Sequence, residues 1–196
     1  EKTPDILKYE TGLGFGNVIG FQRAVQVEPD RTTTSGIKVY DNLFKGLSFA
    51  KLKKKILDTG KRTFGHKAAW YGPVEYTYTG ITHKMQVMPE EFQTIARQIE
   101  DATGVPRGYY NSALVNLFPA GKGIGAHADN EKIFKRANGT IGKVATVTLG
   151  GSSEITISGK FSDKIPVSAG SMYVMPGQRF QTQNRHAVGK ATKERI

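Results

Sequence analysis

Between residues 43 and 58 the apolar side chains Leu43, Phe44, Leu47, Leu52, Ile56 and Leu57 recur mostly at helical spacing, and Gly60 follows as a stop. A second amphipathic stretch begins at Pro89, which suits a first helical position. Glu90 and Glu91 favour the positive end of that helix, and Phe92, Ile95, Ala96 and Ile99 make one apolar face before Gly104 and Pro106 end it. Beyond Pro106 the period shortens. Residues 113–118, 144–149, 154–158, 164–167 and 172–175 read as short strands separated by Gly, Pro and Ser. Two helices followed by closely spaced strands predict an α+β domain with a sandwich or jelly-roll core. Residues 1–40 fit neither pattern and read as an unplaced N-terminal extension. Glycines at 12, 14, 16 and 20 interrupt any period, and residues 31–36 look like a loop. The stretch Gly12-Leu-Gly-Phe-Gly16 lacks the GKS/T ending and following helix of a phosphate loop.

Composition narrows the class. A chain of 196 residues, 38% hydrophobic and 23% charged, can bury a real core and is too apolar to be disordered. No apolar run approaches membrane-spanning length and no basic start with an apolar core marks a signal peptide. The sequence opens at Glu1 rather than Met and reads as a piece of a longer protein. Cysteine is absent, which removes disulfides, thiolate ligands and a thiol nucleophile together. The 28 basic against 17 acidic residues leave +11 with histidines neutral. That surplus favours a polyanion, most simply nucleic acid, through phosphate attraction and counterion release. The run Lys51, Lys53, Lys54 and Lys55, taken alone, is a solvated helix face.

The candidate chemistry lies in four histidines. His127 and Asp129 stand two apart after a short strand predicted at residues 123–126, so both can face one ion. His186 lies late in the strand-rich half, where a neighbouring strand could bring it across a barrel. Two histidines and a carboxylate on one octahedral face are the arrangement of non-haem Fe(II) oxygenases. The same set plus water would serve a zinc hydrolase, and a surface His–Asp pair with a hydrogen-bonded His186 is the bland alternative. His66 and His83 read as surface or lid residues with no chemical role.

Longer motifs surround this pattern. The run Asn111-Ser-Ala-Leu-Val-Asn-Leu-Phe-Pro-Ala-Gly-Lys-Gly-Ile-Gly-Ala-His-Ala-Asp-Asn-Glu131 resembles the central signature of the AlkB family of Fe(II)/2-oxoglutarate dioxygenases. Val147-Thr-Leu-Gly150, Gly170-Ser-Met-Tyr-Val-Met-Pro-Gly177, Asn184-Arg-His-Ala-Val188 and Arg195-Ile196 resemble later family motifs, in family order. Ala69-Trp-Tyr-Gly-Pro73 and Tyr76-Thr-Tyr-Thr-Gly80 resemble its substrate lid. The resemblance implies a double-stranded β-helix, helices packed on one side, and a nucleotide-recognition lid at residues 61–82 within a dioxygenase domain at 41–196. It implies Fe(II) on His127, Asp129 and His186, with Arg195 on the distal carboxylate of 2-oxoglutarate and Asn116 donating to that co-substrate. Phe118 stands where the family usually has Tyr, which removes one hydroxyl from the co-substrate site. The family's second Arg of the last strand falls beyond Ile196.

Trp70, Tyr71, Tyr76 and Tyr78, near Lys61, Arg62 and Lys67, could stack an unpaired base and hold its phosphates, although an isolated strand of this kind would be plain core. The resemblance favours base binding and implies oxidative demethylation of bases such as 1-methyladenine or 3-methylcytosine in single-stranded RNA or DNA, using Fe(II), 2-oxoglutarate and O2 and releasing formaldehyde. A monomer in the cytoplasm is expected, the host cytoplasm if the parent is a viral replicase. Two rivals stay open: a hydroxylase acting on protein or a small molecule, and a nucleic-acid-binding module without catalysis.

Overall fold

Ser48 decides where the first helix starts. Its hydroxyl accepts from the Lys51 amide at 3.3 Å, and α1 runs from Phe49 to Thr59. The expected start at residue 43 is thereby corrected. Leu43, Phe44 and Leu47 precede the helix, in a turn closed by Leu47 N–H donating to the Phe44 carbonyl, and are apolar because Phe44 is buried there. α2 covers Glu90–Thr103, with Pro89 at its N-cap and Gly104 ending it at φ 66°. The structure, a computed structural model, describes residues 26–63, 65–78 and 80–196, together with the backbone but not the side chain of Tyr78. The glycine-rich stretch at residues 12–16 lies outside them.

The strands, in chain order, are β1 (Arg31–Thr32), β2 (Lys38–Tyr40), β3 (Lys61–Arg62), β4 (Lys67–Tyr71), β5 (Tyr76–Tyr78) and β6 (Ile81–His83). After α2 come β7 (Ala113–Leu117), β8 (Ile124–His127), β9 (Val144–Thr148), β10 (Ser153–Gly159), β11 (Asp163–Val167) and β12 (Ser171–Met175). A short α3 (Gln178–Gln183) leads into β13 (Asn184–Val188). The strands expected at residues 113–118, 144–149, 154–158, 164–167 and 172–175 are β7, β9, β10, β11 and β12, and the short strand expected at residues 123–126 is β8.

Two antiparallel four-stranded sheets face each other, ordered β1-β2-β12-β9 and β11-β10-β13-β8, which is the jelly roll expected. Residues 31–40, left unplaced by the sequence, supply β1 and β2 and so belong to the first sheet. The final residues are stitched between β9 and β7. Leu149 and Ile196 exchange backbone hydrogen bonds, as do Phe118 and Arg195, so the first sheet continues into the β3-β4-β7 sheet.

Between the two jelly-roll sheets lie Ile37, Val39, Tyr173 and Met175 from one and Ile155, Ile157, Ile165 and Val167 from the other. The outer face of the first sheet is covered by the helices. Leu52 and Ile56 of α1 and Phe92 of α2 pack on Ala69, Tyr71, Val115 and Leu117, while Ile99 and Ala102 pack with Met172 and Val174. Burial on both faces explains why β12 reads Ser-Met-Tyr-Val-Met without polar alternation. The helices therefore lie on one side, and a cavity lined by Trp70, Leu114 and Asn116 reaches as far as Leu52, Phe92 and Ile99 of the helix layer.

Candidate active site

β8 and β13 pair in a register that sets His127 directly opposite His186. Gly123, just before β8, permits this approach, since a Cβ there would run into the Val188 carbonyl oxygen. Asp129 lies two residues beyond His127, and its backbone N–H donates to Oε1 of the buried Gln181 at 3.0 Å. The Asp129 carboxylate is 3.7 Å from His127 Nε2 and 3.6 Å from His186 Nε2. One ligand atom from each of the three residues lies within 4.8 Å of the others, a spacing that one ion can satisfy.

The protonation chemistry fits a cation. His127 Nδ1–H donates to the Gly125 carbonyl at 2.9 Å, which leaves Nε2 as the lone-pair nitrogen turned toward Asp129. Burial pushes the His186 imidazole down to about 3, with the neighbouring His127 adding to the shift, so it stays a neutral ligand at physiological pH. Burial pushes the Asp129 carboxyl up to about 6, with Glu131 adding to the shift and His127 opposing it. A carboxylate held where its charge is disfavoured is a strong ligand once a cation offsets that cost.

Above the triad opens a cavity of about 490 Å³ whose wall includes Asn116, Phe118, Tyr173 and Arg195. Arg195 is almost fully buried, its Nη1 has no hydrogen-bond partner among the described residues, and its guanidinium lies 4.9 Å from the centre of the Phe118 ring. A buried guanidinium without an anion fits a carboxylate-bearing co-substrate. Asn116 Oδ1 lies 3.1 Å from His66 Nε2, so the imidazole N–H donates and the Asn116 amide nitrogen is left for the cavity. Fe(II) and 2-oxoglutarate therefore both meet residues of suitable chemistry.

Strand alternation sorts the aromatic residues. In the β4–β7 pair, Ala68 opposes Asn116 and Trp70 opposes Leu114, while Ala69 and Tyr71 oppose Val115 and Ala113. Trp70 thus shares the cavity face with Asn116. Tyr71 turns the other way, into the helix-covered core, stacked on Phe92 at 5.1 Å with its hydroxyl 2.6 Å from Thr59 Oγ1. Tyr76 lines the cavity beside Trp70, 4.9 Å between ring centres, and meets the edge of Phe134 at 6.3 Å. Tyr78 falls in β5, and its side chain lies outside the described ones. His66 and His83, expected as surface or lid residues, are not at the surface but buried, at 8% and 1% exposure. The local reason is strand pairing: His83 opposes Tyr76 across β5–β6, and His66 stacks on Phe118.

The sequence reading did not single out the wall opposite the lid. Phe134, Lys135, Arg136 and Lys143 line the cavity from the segment after Asp129, with Tyr109 beside them. Arg136 lies 4.1 Å above the Tyr109 ring, whose hydroxyl oxygen accepts from the Lys143 N–H at 3.0 Å. An aromatic embedded in a basic run, Ile133-Phe-Lys-Arg136, was the available signal.

Gly72 holds Trp70 in place. A Cβ there would sit 2.6 Å from the indole ring and 3.0 Å from the Ser112 Cβ. Gly72→Ala is expected to displace the indole from the cavity wall. A shifted emission maximum of the chain's single tryptophan, with the far-ultraviolet circular dichroism unchanged, is the result that checks it. An unaltered emission spectrum counts against it.

Comparison with known proteins bears on this geometry. Residues 50–195 match the 2OG-Fe(II) oxygenase superfamily. The chain is 30% identical over 122 residues to an RNA replication polyprotein of Apple stem pitting virus, which covers 62% of this chain and 5% of that protein. It is 30% identical over 134 residues to the RNA replication polyprotein of Blueberry scorch virus, covering 67% and 6%. The chain thus spans only a small part of these relatives. The solved structure of OsALKBH1 superposes with a TM-score of 0.61 at 14% identity, over 83% of this chain and 90% of that one, a likeness of fold.

Proposed function

Because the chain belongs to the 2OG-Fe(II) oxygenase superfamily, with the fold and ordered motifs of its AlkB type, it is an Fe(II)- and 2-oxoglutarate-dependent dioxygenase, and we propose that it demethylates N-alkylated bases in single-stranded RNA. The observation that carries the substrate is the cavity itself. Trp70, Tyr76 and Phe134 line the same cavity as the triad, and the exposed Lys135, Arg136 and Lys143 line it too. Rings stack an unpaired base and the cations hold its phosphates, and a base must leave its duplex to reach such a site. The net charge of +11 supports a long polyanion. RNA is favoured over DNA because the viral relatives are RNA replication polyproteins.

In this reading His127, Asp129 and His186 would hold the metal at the wall of the cavity. Fe(II) there, with 2-oxoglutarate and O2, supplies oxidation of an N-methyl C–H bond, and the hydroxymethylated base loses formaldehyde. Arg195 anchors the far carboxylate of the co-substrate, and the Asn116 amide donates to it. Trp70 and Tyr76 orient the base and exclude water. Residues 61–82 act as the nucleotide-recognition lid of a dioxygenase unit that takes in β1 and β2 as well as residues 41–196, and that works as a monomer and, within a viral polyprotein, in the host cytoplasm. Among the described residues no helix is long and apolar enough to cross a membrane.

The test uses single strands bearing 1-methyladenine or 3-methylcytosine, as RNA and as DNA, with Fe(II), 2-oxoglutarate and ascorbate. Formaldehyde release and loss of the methyl mass, faster on RNA, are expected. Turnover of 2-oxoglutarate at the same rate with and without methylated strands would point to a different substrate.

A further inference from the structure

A small polar and aromatic stack lies behind the co-substrate wall, and His66 is its centre. His66 precedes β4 in the turn after β3, where the Thr63 N–H donates to the His66 carbonyl at 2.9 Å. That turn drives the imidazole inward, away from solvent. Contacts with Thr63, Asn116 and Phe118 help to hold it there. The Thr63 hydroxyl lies 3.0 Å from Nδ1, Asn116 Oδ1 lies 3.1 Å from Nε2, and the Phe118 ring stacks on the imidazole at 4.5 Å with 26° between planes. Phe118 in turn carries the Arg195 guanidinium against its ring. His66 does not itself line the cavity, whereas Asn116, Phe118 and Arg195 all do.

An Asn side chain presents either an acceptor or two donors, depending on which way its amide is turned. Toward a carboxylate only the donor end is useful. With its proton on Nε2, which also lies 3.2 Å from the Thr63 hydroxyl, His66 pairs with the carbonyl end of Asn116, and that pairing favours the orientation that leaves the NH2 for the cavity. The same ring stacks on Phe118, whose ring also carries the Arg195 guanidinium. Phe118 has no hydroxyl to hold its own position by hydrogen bonding, so packing alone must do so.

We propose that His66 is a positioning residue for 2-oxoglutarate: it orients the Asn116 amide and buttresses Phe118 beneath Arg195, without touching the co-substrate. The inference uses the assignment of Asn116 as a co-substrate donor and is independent of what the enzyme demethylates.

Three variants test it: His66→Phe, which keeps the stacked ring and loses the donor; His66→Gln, which keeps an N–H donor; and Asn116→Ala. Binding of 2-oxoglutarate to the Mn(II)-loaded, oxygen-free proteins is measured by calorimetry, and Mn(II) binding is measured separately. His66→Phe is expected to weaken 2-oxoglutarate about tenfold, the scale of one misdirected hydrogen bond, with Mn(II) affinity unchanged. In turnover the KM for 2-oxoglutarate should rise far more than kcat falls. His66→Gln should recover most of the loss. Adding His66→Phe to Asn116→Ala should cost little further, because the two act through one amide.

Unchanged 2-oxoglutarate affinity in His66→Phe, or a full additional loss on top of Asn116→Ala, overturns the proposal. If Asn116→Ala alone leaves affinity unchanged, the donor assignment fails and the proposal with it. Should His66→Phe not fold, the His66→Gln and Asn116→Ala pair carries the same comparison: equal weakening by both would show that a donor at position 66 does not restore the amide, and overturns it.

Discussion

Asp129→Asn is expected to abolish turnover while making the metal-free protein more stable. Losing the one anionic ligand should weaken divalent metal by more than about 100-fold, beyond the 10–100-fold typical of changes one layer further out. The stability effect has the opposite sign. Burial raises the Asp129 carboxyl to about 6, above its ordinary value of 3.8. A group raised on folding contributes stability that is complete below its unfolded value and lost as pH rises through about 6. Without metal, the wild type therefore carries the cost of a buried carboxylate at pH 7.5, on the order of 2 kcal/mol, and Asn removes it. The melting temperature of the metal-free variant should exceed that of the wild type by roughly 4–8 °C at pH 7.5. The gap should shrink toward pH 4. His186 runs the other way: its lowered value gives stability that is present above its unfolded value near 6.5 and lost as pH falls toward 3. A variant that melts lower than wild type at pH 7.5 without metal, or that binds Mn(II) equally tightly, contradicts this account.

Arg195→Met should raise the KM for 2-oxoglutarate by about a hundredfold or more. The guanidinium is buried, its Nη1 has no protein partner among the described residues, and desolvation holds its pKa below the ordinary arginine value. Removing one partner of a buried charge pair commonly costs 2–5 kcal/mol, and each 1.4 kcal/mol is about tenfold. Met keeps an unbranched apolar stem but loses the guanidinium that lies against the Phe118 ring, and the backbone hydrogen bonds between Arg195 and Phe118 are untouched. The metal-free, co-substrate-free variant should therefore melt no lower than wild type, since a lone buried charge has been replaced by an apolar chain. Arg195→Lys should fall between the two, because a single ammonium keeps the charge but not the planar fork. Steady-state kinetics in 2-oxoglutarate together with melting curves decide it. An unaltered KM in Arg195→Met would remove Arg195 from the co-substrate site.

Much of this molecule is legible along the chain. Short apolar runs bounded by Gly, Pro and Ser mark β7 and β9 to β12, because strand ends need turn chemistry wherever the fold places them. The helix at Glu90–Thr103 announces itself through Pro89, its acidic first turn and Gly104. His127 and Asp129 are readable as a pair because two residues in extended backbone share a side whatever the partner strand. The order of motifs around them carried the assignment of the metal and co-substrate residues.

The rest depends on contacts between segments far apart in sequence. Nothing near residue 186 says that its strand will pair with β8 so that the two histidines face each other; that register is set by the β10–β13 and β13–β8 ladders. Alternation shows that Trp70 and Tyr71 point oppositely, but which of them meets the cavity is decided by α1 and α2 covering the Tyr71 side. His66 looked like a surface residue among lysines because its burial comes from Asn116 and Phe118, some fifty positions later. Residues 31–40 carry too few apolar positions to announce strands, and they become β1 and β2 only because β12 offers an open edge. Local periodicity and turn chemistry are properties of neighbouring residues, so the sequence alone determines them. Which face is covered, and which side chains converge with His127 and Asp129, follows from long-range pairing and packing, which only the folded chain decides.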